Sequence, residues 1–209
     1  MGTAERRQRE KDRRRMEIIE AAEKVFSAKG FEATTVEDIA SRAELSKGTI
    51  YLYFESKEDL HDAIVMRGME ILAGMFEKAF ESGTTGLEKI RGIGEAYMQF
   101  FREQKDYFDA LLRFETHKRE EIAGNDPMML VIESVRLGIE DGSIRSDIDP
   151  VKMALLLWGQ TTGVLQNNHL KCDIMADVFD IDCDDLLDYH MEQTYRMLAA
   201  DPAGGREEE

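Results

Sequence analysis

One short stretch concentrates side chains able to hold a polyanion: Ser46, Lys47, Gly48, Thr49, Tyr51, Leu52, Tyr53 and, a little further on, Lys57. Lys47 and Lys57 offer ammonium groups to phosphate oxygens. The free N–H groups at a helix start beside Ser46 favour the same anions. Thr49 can donate to a phosphate or touch a thymine methyl, Leu52 can meet the same methyl, and the hydroxyls of Tyr51 and Tyr53 reach backbone or base edges. Ile50 and Phe54 lie four residues apart, on one helical face, and leave the others pointing elsewhere. Apolar anchors behind and small, basic and aromatic groups in front are what a helix needs to enter a DNA groove. Plainer roles stand behind these: Ser46 and Thr35 can serve only as helix caps, and Tyr51 and Tyr53 only as half-buried aromatics, although a cap hydroxyl and a phosphate contact are compatible.

Positioning such a helix takes a frame, and the frame reads as all-α. Apolar residues recur every three or four positions over most of the chain, and strand-like alternation is scarce. A first helix is expected over about Asp12 to Lys29, with Ile18, Ile19, Ala22, Val25 and Phe26 on one face and Gly30 as its stop. Thr35 and Asp38 form a variant capping box for a second helix, and Ser46 caps a third that runs to Phe54. Ser56 opens a fourth that reaches about Phe80. Five more follow: Ile90 to Phe101, Phe108 to Phe114, Met128 to Asp141, Val151 to about Asn167 behind Pro150, and residues 184–199. That makes about nine helices. The domain boundary is expected near residue 60, giving units 1–60 and 61–209, with the fourth helix belonging to both.

The net charge of −16 argues against nucleic acid as a partner until its distribution is read. Residues 1–60 carry 12 Lys+Arg against 13 Asp+Glu; the rest carry 15 against 30. The acidity therefore sits outside the segment that holds the basic stretch. Arg6, Arg7, Arg9, Lys11, Arg13, Arg14 and Arg15 cluster at the start, and beside a helix-turn-helix such a cluster is expected to act as an arm on the DNA backbone.

Phe26, Gly30-Phe31, Thr34-Thr35-Val36, Ile39-Ala40, Ala43, Ser46-Lys47-Gly48-Thr49-Ile50-Tyr51, Tyr53-Phe54, Lys57 and Leu60 keep an order and spacing that resemble the N-terminal domain of the tetracycline-repressor (TetR) family of bacterial transcriptional regulators. The resemblance spans about residues 12–65. It implies that Thr35, Ser46, Lys47, Gly48, Thr49, Tyr51, Leu52, Tyr53 and Lys57 face DNA. One position departs: Glu44 stands in the turn where the family usually has glycine. The resemblance further implies a C-terminal α-helical domain that binds a small molecule and forms a homodimer. The function it implies is that of a ligand-responsive regulator, foremost a repressor released from a palindromic DNA operator by an apolar or amphipathic effector. The alternative is an activator or a ligand-independent regulator.

Candidate ligand contacts in the second half are Phe76, Tyr97, Phe101, Phe108, Met129, Trp158 and Thr161, with Arg113 and His117 as groups able to orient a polar ligand atom. Aromatics at helical spacing are more often plain core, and Arg113 with His117 is more often a solvent-facing pair. The dimer face is expected on the last two long helices. Met153, Leu156, Leu157, Gln160, Thr161, Val164 and Leu165 with Gly159 and Gly163 form one side; Leu187, Met191, Thr194, Tyr195 and Leu198 form the other.

Other chemistries find little support. There is no nucleophile elbow, phosphate loop or paired metal motif, so an enzyme is not expected. His169-x-x-Cys172 lacks a second metal-binding pair, and Asp180, Asp182 and Asp184 imitate a calcium loop without its glycine or its bidentate Glu. No metal or cofactor is expected. Cys172 and Cys183 do not make a disulfide framework, and no apolar run is long enough for a membrane span. A cytoplasmic location, with no membrane partner, is the expectation.

Overall fold

The structure, a computed structural model, describes residues 3–112 and 126–200. Among the described residues there are nine helices and no strand: α1 (Thr3–Lys29), α2 (Val36–Arg42), α3 (Lys47–Ile50), α4 (Lys57–Ser82), α5 (Gly86–Glu103), α6 (Lys105–Leu112), α7 (Met128–Asp141), α8 (Pro150–Phe179) and α9 (Cys183–Leu198). They fall into two compact units. The first holds residues up to Glu70 together with α6; the second begins at Ile71 and holds α5, α7, α8 and α9.

In the first unit Ile18, Ile19 and Ala22 of α1, Ile39 and Ala40 of α2, Ile50 of α3, then Phe54 and Leu60 are all buried. These are the positions that the three- and four-residue spacing selects. Phe26 and Phe31 pack 5.4 Å apart, with His61 edge-on to both. Tyr107 of α6 donates to Glu23 of α1 at 2.5 Å, and Arg67 of α4 approaches the same carboxylate at 3.4 Å. Burial pushes the Glu23 carboxyl above its ordinary range, against the pull of the Tyr107 hydrogen bond and the Arg67 charge.

The second unit is held by one unusually close crossing. A Cβ placed on Gly86 would lie 2.0 Å from the Gly138 amide nitrogen, so α5 and α7 meet backbone to backbone. The end of α7 also closes the start of α5: the Gly86 N–H donates to Asp141 Oδ2 at 2.7 Å and the Leu87 N–H to Ser143 Oγ at 3.1 Å. An isolated antiparallel bridge, Ile144 to Ala199, ties the following turn to the end of α9.

Helix ends depart from expectation in three places. The Arg-rich segment is not an arm detached from the fold but the opening turns of α1, which begins at Thr3 rather than Asp12. Arg13 and Arg14 pair there with Glu10 and Glu17 one turn away, contacts that favour helix in a polar sequence. α3 is shorter than expected and gives way at Tyr51 to a turn. α8 runs to Phe179, well past Asn167, and stops only where Asp180 takes the left-handed conformation. Asp182 then caps α9 by accepting from the N–H groups of Asp184 and Asp185, so two of the acids compared with a calcium loop terminate helices instead. The cysteines are bonded: Cys172 and Cys183 form a disulfide, Cα–Cα 5.9 Å, across the α8–α9 turn. Closing so short a loop stabilises a chain by about 2–3 kcal/mol in the chain-entropy description.

The turn between α2 and α3 carries the departure from glycine. Glu44 sits at φ 55°, its N–H donating to the Ser41 carbonyl at 3.2 Å while Leu45 reaches Ala40 at 2.9 Å. Left-handed backbone costs a residue with a Cβ roughly 1–2 kcal/mol, of which glycine's greater freedom when unfolded returns about 0.5–1 kcal/mol. Glu44→Gly is therefore expected to stabilise the protein by roughly 0.5–1 kcal/mol, measured as a higher denaturant midpoint; a lower midpoint would show that the turn accepts Glu without strain.

The start of α2 makes a pH prediction. Asp38 accepts from Lys29 Nζ at 2.6 Å and from the Thr35 N–H at 3.0 Å, and its own N–H donates to Thr35 Oγ1 at 3.2 Å. The Lys29 hydrogen bond, then those from Thr35, hold its carboxyl at about 2. A depressed carboxyl contributes stability above its unfolded pKa and loses it as the pH falls through the folded one. The stability difference between wild type and Asp38→Asn should thus be full near neutral pH and shrink from about pH 5 toward 2, followed by denaturant titrations at a series of pH values.

Candidate functional site

Around α3, local capping and burial decide which groups are presented. Ser46 caps the helix: its Oγ accepts from the Thr49 N–H at 3.0 Å and lies 2.8 Å from Thr49 Oγ1. Ile50 and Phe54 are sealed in the core, which turns Gly48, Tyr51 and Leu52 to solvent; Leu52 is 76% exposed. Thr49 and Tyr53 are half-buried. Gly48 has open space beside it, its nearest side-chain neighbour being Ser46 Oγ at 3.8 Å from a built Cβ. Lys47 bonds to Glu37 of α2 and lies 5.9 Å from the Tyr51 ring centroid. The Glu37 hydrogen bond raises the Lys47 ammonium above its ordinary value and lowers the Glu37 carboxyl.

Thr35 is exposed at the start of α2 and completes the capping box with Asp38. Lys57 is partly withdrawn: its ammonium donates to the Phe31 carbonyl at 2.9 Å and covers the Phe31 ring at 4.3 Å. Arg15 lies 4.9 Å over the Phe54 ring, which seats the basic end of α1 on the segment after α3. The nine residues singled out from the sequence thus share the first unit, with Lys47, Gly48, Tyr51 and Leu52 forming its exposed centre. Glu37 went unnoticed in the sequence because only the fold brings it to Lys47.

The second unit contains an apolar cavity of about 40 Å³, room for roughly three water molecules. Four of the candidate ligand contacts line it: Phe76, Tyr97, Trp158 and Thr161. Tyr97 and Trp158 stack with centroids 5.0 Å apart, and Phe76 stands edge-on to Tyr97 at 6.1 Å. Burial pushes the Tyr97 hydroxyl up to about 12, although its bond to Thr162 pulls the other way. Ile90, Ile93 and Gly94 of α5 and Val131 of α7 complete one side. Leu157, Met191, Thr194 and Tyr195, expected at a dimer face, complete the other.

The remaining ligand candidates lie elsewhere. Phe101 is buried but faces His169, 6.2 Å away edge-on. Phe108 belongs to α6 in the first unit. Met129 is 57% exposed. Arg113 and His117 lie outside the described residues. The expected dimer stripe also splits: Leu157, Thr161, Leu165, Leu187, Thr194, Tyr195 and Leu198 turn into their own unit. Leu156 and Gly159 stay outside, where Leu155, Leu170, Ile174 and Val178 of α8 and Tyr189 and Met197 of α9 are also exposed. Among the described residues no three metal-ligating side chains gather, and no helix is long and apolar enough to cross a membrane.

Comparison with known proteins agrees with this layout. The family model for bacterial regulatory proteins of the tetR family matches residues 18–64, the span from α1 to the first turns of α4. The HTH-type transcriptional repressor KstR2 of Rhodococcus jostii is 31% identical over 150 residues, covering 66% of this chain and 72% of that protein. KstR2 of Mycolicibacterium smegmatis is 27% identical over 149 residues, covering 65% and 70%. The crystal structure of the TetR family transcriptional regulator PfmR from Thermus thermophilus superposes with a TM-score of 0.64 at 25% identity, over 86% of this chain and 97% of that one. The exposed α3 on its buried anchors, the matched residues around it and a relative 31% identical over 72% of its length together make this chain a member of the TetR family of bacterial regulatory proteins, a ligand-responsive DNA-binding transcriptional regulator.

Proposed function

We propose that the chain is a homodimeric repressor that leaves a palindromic operator when a small apolar or amphipathic effector occupies the second unit. The observation that carries this reading is the division of labour on α3: Ile50 and Phe54 are committed to the core, while Lys47, Gly48, Tyr51 and Leu52 face solvent. Gly48 allows the backbone to approach a base pair, Leu52 suits a thymine methyl, and the Tyr51 hydroxyl reaches a base edge or phosphate. Thr35, Ser46, Thr49, Tyr53 and Lys57 serve as flanking phosphate contacts. Lys47 must exchange Glu37 for a phosphate, a transfer favoured by the higher charge density of DNA.

The repressor sign is supported by the naming of both KstR2 relatives as repressors. Dimerisation is supported by the exposed Leu155, Leu156, Leu170, Ile174 and Val178 along α8, with Tyr189 and Met197 of α9, since large apolar side chains left at the surface mark protein interfaces. Two such protomers would set their α3 helices about 34–36 Å apart, one turn of duplex. The unit boundary follows the compact division, with α6 serving the DNA-binding unit.

Fluorescence anisotropy on palindromic duplexes from the upstream region of its own gene tests the reading. Affinity should fall by about 10³–10⁵ between low and moderate salt. Tyr51→Ala should weaken specific binding by roughly 1–3 kcal/mol, with the dimer unchanged by analytical ultracentrifugation. Affinity that ignores salt on every such duplex would rule the proposal out.

A further inference from the structure

The cavity beside Trp158 restricts the chemistry of its occupant. None of its lining residues is charged. Its hydroxyls are already engaged: Tyr97 with Thr162 at 3.0 Å, Thr161 with His190 Nε2 at 3.0 Å, Tyr195 donating to the Arg91 carbonyl at 3.1 Å, and Thr194 accepting from Gln160 Nε2 at 3.4 Å. Among the described residues no buried side-chain nitrogen or oxygen lacks a partner. A carboxylate or phosphate drawn inside would shed its water and find no cation, which is strongly unfavourable. A neutral hydrocarbon group gains from the same transfer. The stacked rings of Tyr97 and Trp158, 13° from parallel, give the cavity an aromatic wall, suited to stacked or edge-on contact with a ring.

Size points to a doorway. The cavity of about 40 Å³ is far below the roughly 300–1,000 Å³ of ordinary ligand sites. An open groove of about 270 Å³ along α5 and α9, where the carboxylates of Glu95, Asp188 and Glu192 outnumber the guanidinium groups of Arg91 and Arg102, shares two residues with it, Met191 and Tyr195. Tyr195 is pinned by its bond to the Arg91 carbonyl and by the Arg91 guanidinium 4.7 Å over its ring. Met191 is half-buried, with its terminal methyl beside Gly94, and an unbranched thioether changes shape at little cost. Displacing Met191 would join groove and cavity into a space near the lower limit of a ligand site. On the reading of this unit as the effector sensor, we propose that the cavity selects an uncharged, ring-bearing ligand admitted from the α5–α9 groove past Met191, and rejects the corresponding free acid.

Trp158 is the only tryptophan of the chain, so its fluorescence reports the cavity directly. Titrating the full chain near neutral pH with 4-phenylbutanol, methyl 4-phenylbutyrate and 4-phenylbutyrate compares one ring and chain in neutral and anionic forms. The alcohol and the ester should shift Trp158 emission at low millimolar concentration, with the acid at least about tenfold weaker. Equal binding of the acid would overturn the charge selection and leave the sensor reading standing. No response to any of the three at saturation would overturn both. In stopped-flow mixing with the alcohol, Met191→Ala should speed association severalfold and Met191→Leu, branched and stiffer, should slow it. Rates unchanged in whichever variant keeps wild-type circular dichroism would remove Met191 as the gate.

Discussion

A helix of four residues has no stability of its own, because nucleation fixes more dihedrals than its hydrogen bonds return. α3 exists because both of its ends and its inner face are held by something else. Ser46 accepts from the Thr49 N–H, Ile50 and Phe54 are drawn into the core with α1 and α2, and Glu44 makes the turn that leads into it. The exposed side chains are thereby set by the core rather than by α3 itself. A loss of packing at Ile18 or Leu60, neither of which meets solvent, would blur the DNA-facing surface as surely as a change on it.

Charge works against the same surface and is kept at a distance. The excess of acid lies in residues 61–209, while the segment carrying α1 to α3 is close to neutral. Even there the basic groups are not bare: Lys47 holds Glu37, Lys29 holds Asp38, and Arg13 and Arg14 hold Glu10 and Glu17. Such exposed pairs contribute little to stability. Their effect is to temper a surface that would otherwise bind any polyanion, so that phosphates must compete with carboxylates before the bases are read.

How far the chain could be read in advance depended on what each residue's role required. The helix-turn-helix was legible because apolar spacing, caps and turn chemistry all act within a few residues. Thr35 with Asp38 and Ser46 with Thr49 are local hydrogen bonds, and Glu44 announced its backbone by replacing a glycine. The start of α1 was not legible from periodicity, because Thr3 to Asp12 carries no apolar stripe and is helical through propensity and Arg–Glu pairs. The apolar spacing of a core face stops near Asn167 although α8 continues, because Leu170, Ile174 and Val178 face outward and so leave no core signature. Tyr97, Phe101 and Phe108 share helical spacing and aromatic character, yet the break between α5 and α6 divides them between the two units. Whether Leu157 and Tyr195 look into their own unit or out of it depends on helix rotation, which a single chain's hydrophobicity leaves open. The Cys172–Cys183 bond likewise depends on α9 folding back, a fact of tertiary structure.

Gly86 and Gly138 divide the second unit into a part that can change and a part that cannot. Backbones in direct contact leave no side chain to exchange, so the α5–α7 crossing is a rigid joint. The cavity wall, by contrast, is made mostly of side chains from α4, α5, α7, α8 and α9. A descendant of this chain can therefore alter what it senses by trading Phe76, Leu157 or Met191 while the joint keeps the helices in register. A residue free to change and one that is fixed lie one helical turn apart on α5, at Ile90 and Gly86.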